Sequence, residues 1–152
     1  MLSRVLRFVR LPFVLLTLWA FGRFVMGFYA EFSPRTNATF SVVVTTLITC
    51  LYFGAMSKPI GGFDWKGTAL VGAAIGVFGQ LLIIVFTVVS LAGGFNTYYV
   101  HWDALNVTPD TPITWNTVVF ARSTGILVNT ILAAGEACLG RLLFSNFAPQ
   151  AK

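Results

Sequence analysis

Charge is what this chain has least of. Asp, Glu, Lys and Arg make up 10% of its 152 residues, whereas a soluble domain carries about a quarter, because a small globule has much surface to wet. Ten cations and five anions cannot cover a water-facing surface of this size, so lipid must solvate much of the chain. The cations stand at the ends of apolar runs rather than along one solvated face, which excludes nucleic acid as a partner.

Histidine is nearly absent. With His101 alone, a haem held by two histidines and a histidine-rich metal site are both excluded. His101, Asp103 and Asp110 share one loop without a fixed ligand spacing, so no metal and no cofactor is assigned. No nucleophile elbow accompanies the histidine and no glycine-rich phosphate loop is present, so no enzymatic activity is expected. The two cysteines, Cys50 and Cys138, lie inside apolar segments without C-x-x-C spacing and read as small buried hydrophobes. No internal repeat supports an inverted-repeat transporter. Asn37-Ala-Thr and Asn106-Val-Thr match glycosylation sequons only by coincidence, the first hugging the membrane and the second followed by Pro109.

What is abundant is apolar sequence: 57% of residues are hydrophobic and the mean hydropathy is +0.81. Four runs carry it, at about 11–30, 38–57, 71–92 and 117–144. About 20 residues rising 1.5 Å each cross the hydrocarbon, and backbone polar groups inside lipid must bond within their own segment, which requires helix. The expectation is an all-α integral membrane protein, a single antiparallel four-helix bundle. Arg4, Arg7 and Arg10 before an apolar run also describe a signal peptide. The best cleavage position, after Ala30, has bulky Phe28 where a small residue belongs, which favours a retained helix.

Cations assign the direction. Arg4, Arg7, Arg10, Lys58, Lys66, Arg141 and Lys152 fall on one side of a chain that crosses four times, whereas the other side has only Arg35, with Glu31, Asp103 and Asp110. Positive-inside then places both termini in the cytoplasm of a plasma (inner) membrane. Aromatic residues at the run ends (Phe28, Tyr29, Tyr98, Tyr99, Trp102, Trp115, Tyr52, Trp65) suit the headgroup layer. The connection over 95–116 is the longest, and Pro109 and Pro112 oppose a long helix there. Its aromatics suggest a cap lying on the bundle.

Polar residues at lipid depth are the main functional signal, because they are costly there unless partnered. Counting from run centres places Gln80 and Asn129 near the midplane, Arg23 slightly to the outer side, and Thr45, Thr46 and Thr49 at similar depth. Arg23, Thr46, Thr49, Gln80 and Asn129 thus form an expected intramembrane polar layer. Arg122, Asn129 and Glu136 are seven residues apart, hence on one face of the fourth helix. Glu31 with Arg122 and Arg10 with Glu136 are the expected cross-helix charge pairs. Ala69, Gly72, Gly76 and Gly79 form a small-residue face on which a helix docks, either the chain's own or a partner's. The expected role is a non-enzymatic structural or accessory subunit of a larger membrane assembly, with a membrane-protein partner or a second copy. The rival is a small-solute or ion channel or carrier using the polar layer.

Overall fold

The computed structural model describes residues 1–29 and 34–149. Among these, all regular structure is helical: α1 (Leu2–Phe8), α2 (Arg10–Met26), α3 (Pro34–Thr39), α4 (Val42–Ser57), α5 (Trp65–Ala92) and α6 (Trp115–Phe144). Two short 3-10 turns, Tyr98–Val100 and Asp103–Leu105, punctuate the long connection.

Helix boundaries follow local chemistry. Asp64 accepts from the Gly67 amide at 2.7 Å, so α5 starts at Trp65, ahead of its apolar run. Ser41 accepts from Val44 and Thr114 from Thr117. The Ser41 cap divides the expected second run: α3 ends at Thr39 and α4 begins at Val42. Between α1 and α2 the axis bends by 54° at Val9. Pro12 explains the bend, since it cannot donate to the Phe8 carbonyl and its ring crowds that oxygen.

α5 and α6 are each long and apolar enough to cross a membrane, and α1 with α2 make a third such rod if the bent pair is one span. α4 has 16 residues, a length of about 24 Å against a hydrocarbon core of about 30 Å.

α5 is the central helix. Of its most apolar stretch 39% is buried within the chain, against 17% for α6. Phe13 stacks on Phe78 and Phe21 contacts Phe86, so α2 and α5 run in the same direction. α4 runs opposite to α5, with Thr46 against Gly79, the Cys50 thiol 3.7 Å from the Gly72 carbonyl and Ser57 bonded to Thr68 at 2.7 Å. α6 also runs opposite to α5, since Gly76 faces Ala133 and Thr130 and Arg122 reaches Thr87. The small-residue face is therefore occupied by the chain's own helices: Gly72 and Gly76 lie against α6 and Gly79 against α4. α4 and α6 touch backbone to backbone where Gly54 meets Ala137 and Gly140 meets Leu51.

The end of the molecule holding the turn 58–64 also holds α1 and the end of α6. Arg4 donates to the Gly61 carbonyl at 2.5 Å, and Phe8 packs edge-on against Phe53 and Phe63. Arg141, counted from sequence among the topology-setting cations, is only 8% exposed. It donates to the Phe63 carbonyl at 2.9 Å and to Thr68 at 2.8 Å, with its guanidinium over Trp65. That side chain clamps α6 to the start of α5.

Candidate functional site: a cavity beneath the long connection

The connection after α5 is sewn to the helices at several points. Ser90 bonds Thr97 at 2.6 Å, and the Tyr99 hydroxyl donates to the Ala20 carbonyl of α2 at 2.8 Å. Burial pushes the Tyr99 phenol above its ordinary range, against the pull of Arg23 and Arg122, so it stays protonated and able to donate. Tyr98, fully buried, donates to Asp103 at 2.5 Å. Arg122 holds the connection from α6: Nη2 donates to the Tyr99 carbonyl at 2.7 Å, Nη1 to the Ala104 carbonyl at 3.1 Å and Nε to Thr87 at 3.1 Å.

Beneath this cap lie two adjoining cavities of about 440 Å³ and 220 Å³. Their shared wall is Val43, Ile83, Ala104, Asn106 and Arg122. The larger one continues down α6 past Thr124, Gly125 and Val128 to Asn129, with Gln80 opposite. The smaller is bounded by Arg23, Ser41, Tyr99 and Asp103. The helix crossing explains the space: α4 and α6 meet closely at Gly54 and Gly140, and the cavity opens toward the cap between Val43 and the first half of α6. Asn106, in the left-handed region at φ 57°, turns the connection over both cavities. An asparagine tolerates that backbone better than most side chains.

The expected polar layer separates into three environments. Gln80 is 3% exposed and faces the larger cavity, and among the described residues no hydrogen bond reaches its side-chain amide. Asn129 lines the same cavity. Both amides lie within 4 Å of the point where a Cβ on Gly125 would stand: 3.2 Å for Gln80 Oε1 and 3.7 Å for Asn129 Nδ2. Thr46 and Thr49 donate instead to the Val42 and Thr45 carbonyls at 2.7 Å, and Thr45 to Ser41 at 3.0 Å. These hydroxyls serve their own helix. Arg23 is 7% exposed and sits over the Tyr98 ring at 4.5 Å and the Tyr99 ring at 5.7 Å, with Asp103 contributing electrostatically. It belongs to the cap and the smaller cavity rather than to the Gln80–Asn129 level.

Of the charge pairs, Glu31 lies outside the described residues. Arg10 is exposed and Glu136 half-buried, and among the described residues no hydrogen bond or ion pair joins them. Arg122 takes backbone carbonyls and a threonine hydroxyl as partners. Ala69 is half-buried beside the Gly72–Gly76–Gly79 face.

Among the described residues, no group of three His, Cys, Asp or Glu could hold a metal. His101 stacks on Tyr98 at 5.1 Å within the cap. Sequence reasoning reached Gln80, Asn129 and Arg122 but passed over Asp103 and Asn106 as cavity residues. The aromatic density of the connection was the available sign that it is a packed wall. No protein-family model, curated protein or solved structure matches this chain.

Proposed function

We propose that this chain is a multi-pass membrane protein whose α1–α2, α4, α5 and α6 each cross the bilayer as an antiparallel four-helix bundle, both termini on the cytoplasmic side. Its function in this reading is non-enzymatic: it admits a small polar solute or the polar part of a larger molecule into the cavity under the cap. The carrying observation is Gln80, an amide that is 3% exposed, unbonded to any described residue and turned to a space of about 440 Å³. The amide atoms open onto that space rather than being sealed in protein, so water or a ligand entering there completes their hydrogen bonds. Register-fixing between helices is the competing explanation, and it requires the bond to a neighbouring helix that Gln80 does not make here. The docking role of the glycine face is likewise met inside the chain.

The test is solute-dependent protection or flux in reconstituted vesicles, comparing wild type with Gln80→Leu and Asn129→Leu. Loss of both signals without loss of folding supports a solute site. A wild type inert toward every solute tried, together with Gln80→Leu variants that unfold more easily, refutes it.

A second reading, an accessory subunit of a membrane assembly, is favoured by the surface of α6. Leu127, Ile131, Leu142 and Leu143 are all more than half exposed, a ridge that lipid or a partner helix must cover. Native mass measurement after gentle extraction discriminates: a monomer in several mild detergents counts against this reading.

A further inference from the structure

The chemistry of the cavity narrows its occupant. Resting on the solute-site reading above, we infer that it takes an oxyanion, phosphate or carboxylate, carried on an apolar body that lies in the bilayer: the headgroup end of an anionic amphiphile.

Charge is the first reason. Arg122 lines both cavities and spends three N–H groups on neutral oxygens, which orient the guanidinium without neutralising it. Two of its five donors remain. An anion in the larger cavity receives charge-assisted hydrogen bonds from this already held fork.

Depth is the second. α6 has 30 residues, about 45 Å, so centring it on a hydrocarbon core of about 30 Å leaves roughly 7 Å beyond each face. Arg122 then stands about 3 Å inside the boundary, within reach of the phosphate and glycerol layer. Gln80 and Asn129 lie deeper, where their N–H groups can meet ester or amide carbonyls that follow such a headgroup.

The third is the opening. Phe120, Thr124 and Val128 are spaced four apart on one stripe of α6 and line the cavity, yet Phe120 is 78% and Val128 47% exposed. The cavity wall therefore runs without a break onto the surface that faces lipid. An apolar tail can leave by that side while the headgroup stays beneath Asn106 and Ala104.

The test reconstitutes the full chain in nanodiscs containing equal phosphatidylglycerol and phosphatidylcholine, then counts lipids retained on mild release by native mass spectrometry. Phosphatidylglycerol should be retained about tenfold over phosphatidylcholine, and Arg122→Gln should erase the preference. Because Arg122 also anchors the cap, Gly125→Leu serves as the second variant. It keeps both arginines and fills the space beside Gln80, and it too should abolish retention. Free glycerol phosphate should compete poorly; competition equal to the lipid's would show a soluble anion site and overturn the amphiphile. Equal retention of both lipids, or a preference that survives both variants, overturns the inference. A neutral solute that protects wild type but not Gln80→Leu, and is indifferent to Arg122→Gln, would overturn it while leaving the solute site standing.

Discussion

Three glycines, Gly54 on α4, Gly72 on α5 and Gly140 on α6, carry the close approach of these helices, and Gly135 on α6 supplies the control. A Cβ on Gly54 would lie 2.6 Å from both the carbonyl carbon and the Cα of Ala137, and nearer still to the carbonyl oxygen. Ordinary contact begins at 3.4 Å, and the obstacle is backbone, which cannot rotate away. Gly140 would meet the Leu51 carbonyl carbon at 2.8 Å and Gly72 the Ala133 carbonyl carbon at 2.9 Å. Gly54→Ala must therefore push α4 off α6 along the crossing. Overpacking costs typically about 1–3 kcal/mol, and a gap of about 0.5–1 Å forfeits a quarter to a half of each dispersion contact beside it. We expect Gly54→Ala and Gly140→Ala each to lose about 3 kcal/mol, a fall in Tm of roughly 6–12 °C for a chain of this size. Gly135→Ala, with nothing within 4 Å of the new Cβ, should instead gain up to about 1 kcal/mol from helix propensity. The assay is thermal unfolding in one detergent, followed by circular dichroism and by reactivity of buried Cys50. Equal Tm shifts for Gly54→Ala and Gly135→Ala would refute the backbone-to-backbone crossing and, with it, the wedge that opens the cavity.

Gln80→Leu should leave Tm unchanged or raise it, by up to about 1–3 kcal/mol in stability, because no hydrogen bond to the described protein is lost; a clear fall in the same melt would restore a gluing role. Arg141→Met should lower stability by about 3 kcal/mol, since two charged hydrogen bonds and the Trp65 contact disappear together, and a quench-free Trp65 emission identical to wild type would contradict the clamp. Tyr99→Phe should cost about 1 kcal/mol and increase amide exchange across 95–105; unchanged exchange would mean the tie to Ala20 does not hold the cap. For topology, single cysteines at Ser3 and Asp64 should be shielded from an outside-added impermeant reagent, whereas one at Asp103 should react; the reverse pattern would invert the orientation.

The helical class and the apolar helices long enough to cross a membrane were legible in the chain alone, because they depend on local properties. A run of apolar residues has one low-energy form in lipid, and Asp64 and Thr114 cap helices through neighbours three residues away. Pro12 likewise acts on the turn before it, although its 54° consequence emerged only in three dimensions. The glycine face was legible as a place where a helix docks, but not as to which helix, since spacing records shape and not the identity of what fills it. The site was legible only as a list of polar positions at similar depth. Tertiary structure decided that Thr46 and Thr49 turn back to their own helix, that Arg23 joins the aromatic cap, and that Gln80 lines the larger cavity. Depth is one coordinate, set by counting along a helix. Rotation about the axis, the separation of α4 from α6 above their glycine crossing, and the fold of the connection over the gap are set by contacts far apart in the chain, and they determine which polar groups share a cavity.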